Sequence, residues 1–136
     1  MKLFKYITLF TFLTVGIVNA QQFNFQTTSL TVLQKNKKGE WGKWSTPEPA
    51  KTIVKLDYDK NKIVIYSNVI QYYSIAEYLP KEVTKVDEIN SYLCNNIDGF
   101  PLKISFIVRK DLKNKTQLYV YNEDYIFCYD IFEITK

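Results

Sequence analysis

Residues 52–66 read TIVKL (52–56), DYDKNK (57–62) and IVIY (63–66), two short β-branched runs separated by a cluster of Asp, Asn and Lys. Val, Ile and Thr are stiff at χ1 and pack well on a pleated surface. Asp and Asn hydrogen-bond their own backbone and so favour turns. The stretch therefore predicts an antiparallel β-hairpin. The same punctuation continues towards the C-terminus, with strands expected over Val69–Tyr78, Ile89–Cys94, Leu102–Arg109, Gln117–Tyr121 and Tyr125–Ile134. Asp98-Gly99 supplies one of the turns, since Asp-Gly accepts the positive φ of tight hairpins. Towards the N-terminus the pattern predicts a strand over Phe23–Leu33 and a short one around Trp41–Trp44, after which Thr46-Pro-Glu-Pro49 should break pairing because proline has no N–H to donate. No stretch holds a helical period. Connections this short favour antiparallel neighbours, so the fold class expected is all-β: an antiparallel meander of about eight strands forming a small, lipocalin-like barrel or a sandwich.

The first twenty residues do not belong to this pattern. Lys2 and Lys5 precede a twelve-residue apolar run, Ile7 to Val18, which ends in Val18-Asn19-Ala20. This is the three-part form of a secretory signal peptide cleaved after Ala20. The run is short of the roughly 20 residues a membrane-spanning helix needs. The expected domains are thus 1–20, signal peptide, and 21–136, a single β domain, with no membrane span after cleavage and a periplasmic or secreted location. Cleavage lowers the net charge from +4 to +2, too little for a strong long-range field. Arg109 is the one arginine, whereas nucleic-acid grooves rely on arginine forks, so nucleic acid is not an expected partner.

The chain has 136 residues, 46% hydrophobic and 16% aromatic, with two cysteines and no histidine. Without imidazole, the commonest metal ligand, proton shuttle and nucleophile-activating base are missing. Only Gly39, Gly42 and Gly99 remain after cleavage, and no phosphate-cradling loop, nucleophile elbow or dinucleotide fingerprint is present. The sequence therefore predicts no catalytic residues, no cofactor and no metal site. Asp57-x-Asp59-x-Asn61 opens like a calcium loop, but Lys62 stands where the turn glycine belongs and Asn68 where the closing glutamate belongs. Asp130, set in an apolar strand, is the best acid for a two-carboxylate hydrolase, the third reading of function. Cys94 and Cys128 would meet an oxidising compartment, which allows a disulfide. In a simple meander, however, their strands lie three spacings apart, near ~14 Å, against the ~7 Å Cα limit of a disulfide. Two buried thiols are the preferred expectation.

What remains is aromatic content. Strand alternation gathers Leu118, Val120, Tyr125, Phe127, Tyr129 and Ile131 on one face of the last hairpin and Tyr119, Tyr121, Ile126, Cys128 and Phe132 on the other. Tyr119, Tyr121 and Tyr129 are the candidate ligand-binding residues, for an unknown protein, a glycan or a small apolar ligand. The plain alternative is that these rings cover a sheet face, where strand propensity suffices to explain them. The leader, a start of QQFNFQTT (21–28), the Trp41-Gly-Lys-Trp44 segment, the Ile63–Tyr66 strand, the Tyr92–Cys94 to Asp98-Gly99 hairpin and the closing Tyr-rich pair resemble small exported β proteins of Bacteroidetes bacteria, a group with no assigned activity. The resemblance implies a cell-envelope or secreted location and carries over no catalytic residues. The leading expectation is an exported, non-catalytic β domain that acts as a binding or interaction module; the alternative is a lipocalin-like carrier of a small apolar ligand.

Overall fold

The 52–66 hairpin forms where its sequence places it. In the computed structural model, which describes residues 22–134, β3 (Ile53–Asp57) and β4 (Lys62–Ile65) pair antiparallel from Val54↔Ile65 to Asp57↔Lys62. Asp57 Oδ1 accepts the Lys60 N–H at 3.1 Å, and Asn61 takes the positive φ of 52° that the turn requires. The expected signal peptide, 1–20, lies outside the described residues.

The other strands are β1 (Gln22–Gln34), β2 (Glu48–Pro49), β5 (Gln71–Tyr78), β6 (Glu82–Val83), β7 (Asp87–Asn95), β8 (Pro101–Arg109), β9 (Lys115–Tyr121) and β10 (Tyr125–Glu133). Every pairing is antiparallel. The order is β1, β3, β4, β5, β7, β8, β9, β10, and β10 returns to β1, so eight strands form a closed ring with β2 and β6 as short additions. The chain is thus the all-β meander its sequence predicts. Closure leaves the long strands few unpaired N–H and C=O groups, which would otherwise template aggregation.

Two local expectations change. Trp41–Trp44 is not a strand: a single bridge joins Trp41 to Lys35, and the pairing moves to Glu48–Pro49, opposite Leu30 and Ser29. Proline is tolerated there because β2 is an edge, and the next residue, Ala50, donates its N–H to Thr28 at 3.1 Å. Within the polar 80–87 connection, β6 folds back on β7 as a two-residue strand.

Inward positions fill the ring. Val54, Ile63, Ile65, Ile104, Leu118 and Val120 are all fully buried. β5 and β10 face each other across the ring, four strands apart in either direction, yet Gln71 Nε2 donates to Tyr129 OH at 3.1 Å and Tyr73 OH donates to Gln71 Oε1 at 2.7 Å. Opposite walls therefore touch through side chains. Eight strands enclose an interior about as wide as packed side chains require.

A register shift between Thr27 and Ser29 marks a bulge in β1. Buried Thr27 anchors the 50–52 segment there: its hydroxyl donates to the Ala50 carbonyl and accepts the Thr52 N–H. Thr27→Val keeps the shape but orphans both groups, each worth ~1–3 kcal/mol when unsatisfied. The expected outcome is a loss of about 2 kcal/mol in urea unfolding at pH 7; a variant as stable as the parent would show that the hydroxyl does not anchor the segment.

Candidate functional site

In an up-and-down ring alternate connections lie at the same end. The 57–62, 78–87 and 109–115 connections, the start of β1 and the end of β10 all meet at one mouth. Inward residues there surround an open cavity of about 270 Å³. Its walls are Phe23 and Phe25 of β1, Tyr58 of the β3–β4 turn, Tyr92 of β7 and Phe106 of β8, with Leu56 and Val108 between them and Asn90, Thr116 and Glu133 as polar members. The rings touch in sequence: Phe23 meets Tyr58 edge-on at 5.8 Å, Tyr58 lies 6.2 Å from Tyr92, Tyr92 meets Phe106 edge-on at 5.9 Å, and Phe106 lies 5.3 Å from Phe25. Tilted and edge-on contacts at such distances are the favoured geometries of aromatic quadrupoles.

The hydroxyls of Tyr58 and Tyr92 share a hydrogen bond of 2.6 Å. Burial first, then that bond, pushes the Tyr92 phenol far above its ordinary value, so the ring stays neutral. Among the described lining residues Glu133 is the one acidic or basic side chain. It shares the inward parity of Tyr129 and Ile131 and sits opposite Phe25. The site is therefore a small aromatic cup with one carboxylate, one amide, the Thr116 hydroxyl and two phenols bonded to each other. Such a combination of apolar walls and few polar groups suits a small molecule.

The candidate tyrosines fall in two places. Tyr129 points inward, 3% exposed, with its hydroxyl on Gln71. Tyr119 and Tyr121 lie on the outer wall, half-buried and stacked at 5.8 Å and 14°. Trp44 packs edge-on against Tyr119 at 6.3 Å, and Lys103 Nζ sits 4.9 Å above the Tyr121 ring. The wall of the ring separates the pair from Tyr129, so the three do not share one surface.

Cys94 and Cys128 are free, buried thiols. The ring does close, but Cys94 belongs to the interior cluster whereas Cys128 lies on the outer wall, opposite Tyr119. Burial pushes the Cys94 thiol up to about 12, which leaves it unreactive near neutrality.

Asp130 lies in a polar lattice on the same outer wall. Lys115 Nζ is 2.7 Å from its Oδ2, Ser29 Oγ donates to Oδ2 at 3.1 Å and Gln117 Nε2 donates to Oδ1 at 3.0 Å. The lattice continues from Gln117 to Arg109 Nη1 at 3.2 Å, and Arg109 Nε lies 3.0 Å from Asp87 Oδ1. Burial alone would raise the Asp130 carboxyl, but the bonds from Lys115, Gln117 and Ser29 outweigh it and hold the group below the ordinary carboxylate range. Among the described residues no second carboxylate is bonded to it, and an acid held ionised is a poor proton donor near neutrality. In the Asp57–Asn61 turn, Asp57 Oδ1 is engaged by Lys60 N–H and Asn61 Oδ1 by Tyr78 OH at 2.6 Å, so these oxygens hold the turn.

The opposite mouth has its own cavity of about 340 Å³, walled largely by turn residues including Asn96, Phe100, Asn122 and Asp124. Its tips expose Val69, Ile97 and Phe100.

The cup aromatics went unmarked in the sequence because each is ordinary for its place, Tyr58 in a turn and the others in strands. The signal that finds them is combined: inward parity, plus the alternation of strand direction that brings five distant segments to one mouth. Comparison with known proteins finds no matching family model, no matching curated protein and no matching solved structure.

Because the Asp130 carboxyl is depressed in the folded chain, its stabilisation is present above the unfolded value near ~4 and is lost as pH falls through the folded value. Asp130→Asn should therefore be less stable than the parent at pH 7, with a narrower gap at about pH 3. Urea midpoints at the two pH values check this; a gap that is unchanged in acid would show that Asp130 acts through packing alone.

Proposed function

We propose that the chain is an exported, non-catalytic binding module whose ligand seats in the aromatic cup at the mouth of the ring. The observation that carries this reading is the cup itself, a cavity of about 270 Å³ walled by five aromatic side chains and open to solvent. It lies just below the ~300–1,000 Å³ of typical small-molecule sites, which points to a ligand the size of a single ring. In this reading the eight-strand ring is a small barrel with a packed middle, and the carrier alternative survives in modified form: the ligand rests at the mouth instead of filling a hollow interior. Export is supported by the leader pattern of residues 1–20.

A second reading rests on the outer wall. Stacked Tyr119 and Tyr121 beside Trp44, which is 45% exposed, form an aromatic patch suited to a protein or glycan contact.

Two experiments test these proposals. Expressed as the full chain in a Gram-negative host, the protein should be recovered from the periplasm or medium with the mass of residues 21–136; full-length protein confined to the cytoplasm would overturn export. The exported protein should then bind members of a panel of single-ring compounds by ligand-observed NMR. Thr116→Trp, which fills the cup, should weaken that binding at least about ten-fold, or about 1.4 kcal/mol, while Tyr121→Ala leaves it unchanged. The reverse pattern would move the site to the outer wall, and a panel without any binder would overturn the cup as a ligand site.

A further inference from the structure

Resting on the reading of the cup as a ligand site, we infer that its ligand is an organic cation, an ammonium group carried on a small apolar or aromatic body. Three observations converge on this chemistry.

The first is the wall. Phe23, Phe25, Tyr58, Tyr92 and Phe106 come from four separate elements and surround one cavity, each within 6.2 Å of the next. The π-faces of aromatic rings attract cations within about 6 Å of the ring centroid, and several rings around one space form the cage that recognises alkylated ammonium groups. Elsewhere the chain already pairs ammonium groups with rings: Lys35 lies 5.0 Å from Trp41, Lys62 5.5 Å from Tyr72 and Lys103 4.9 Å from Tyr121. None of these lysines lines the cup.

The second is charge. Among the described residues the lining contains no lysine or arginine, and its one acidic side chain is Glu133. Among the described residues Glu133 forms no ion pair. An anionic ligand would meet repulsion from Glu133 with no lysine or arginine among the described lining residues to offset it, whereas an ammonium gains both the carboxylate and the rings.

The third is the supply of neutral hydrogen-bonding groups. The hydroxyls of Tyr58 and Tyr92 are committed to each other at 2.6 Å. Asn90 and Thr116 are the remaining uncharged polar side chains of the lining. A polyhydroxylated ligand of this size would bury more donors and acceptors than these can satisfy, and each one left unpaired is costly. A cation with one charged head and an apolar body matches the inventory better.

The test uses three probes of similar shape and different charge, 2-phenylethylammonium, 2-phenylethanol and 3-phenylpropanoate, titrated into the exported protein at low ionic strength while the resonances of the cup are followed by NMR. The ammonium should bind at least ten-fold tighter than the alcohol, about 1.4 kcal/mol, and the carboxylate more weakly than either. Glu133→Gln should cut the preference to about two-fold or less, while Glu48→Gln, a substitution on exposed β2, leaves it intact. A preference below about three-fold in the parent, or one untouched by Glu133→Gln, would overturn the cation inference. In that case the cup still stands as a site if Thr116→Trp abolishes binding of the alcohol. If no probe shifts any cup resonance, the reading of the cup as a ligand site falls as well.

Discussion

The pairing of β1 with β10 makes the rest of the architecture possible. It runs from Phe25↔Glu133 to Gln34↔Tyr125 and joins segments about a hundred residues apart. Loop closure over that distance is entropically costly but grows only logarithmically with length, and the long register repays it with a continuous ladder. β1 also holds two partners along its other edge, β3 through residues 22–26 and β2 through Ser29 and Leu30. The bulge between Thr27 and Ser29 bends β1 at the point where one partner gives way to the other, and Thr27 ties down the segment that makes the exchange.

Closure also explains where the empty space lies. Once the ring is complete, alternate residues have only the interior to occupy, and at eight strands that interior is filled. Near one mouth, Gln71, Tyr73 and Tyr129 lock opposite walls together. At the other mouth the strands contribute phenyl rings, which lack groups to bridge the gap. The phenols of Tyr58 and Tyr92 bond to each other. A cup remains between them. Gln71 has both a donor and an acceptor and spans the ring, whereas the phenols of the cup are bonded to each other.

Much of the ring was legible beforehand, because period-two alternation and Asp/Asn turns are local signals. The 52–66 hairpin and the segregation of Leu118, Val120, Tyr129 and Ile131 from Tyr119 and Tyr121 needed nothing beyond strand parity. Closure was not legible, since antiparallel pairing between β1 and β10 leaves no mark in either strand alone. The same holds for the bulge at Thr28 and for the paired Glu48–Pro49, where tertiary context offers an edge that tolerates proline. Parity also did not say which face was inner, and for that reason Tyr129 stood beside two tyrosines that proved to lie on the far side of the wall. The cup combines both difficulties. Its residues are far apart in the chain, and they meet only because closure gives every inward position a common axis.

Tyrosine on both sides of the wall reflects one physical use. Its ring supplies apolar area while its hydroxyl needs one partner, so it suits positions where packed surface gives way to a polar point. Tyr73 and Tyr129 end on Gln71, Tyr92 ends on Tyr58, and Tyr119 ends on Gln117 at 3.2 Å. Burial is the first cause that keeps the phenols of Tyr73, Tyr92, Tyr119 and Tyr129 above their ordinary range, so these groups remain neutral through the physiological range. With no histidine in the chain, the interior has few ways to carry charge. Within the lining of the cup a carboxylate stands out against these neutral rings. Glu133, at the end of the closing strand, is that carboxylate, and the pairing that completes the ring is also what brings it to the cup.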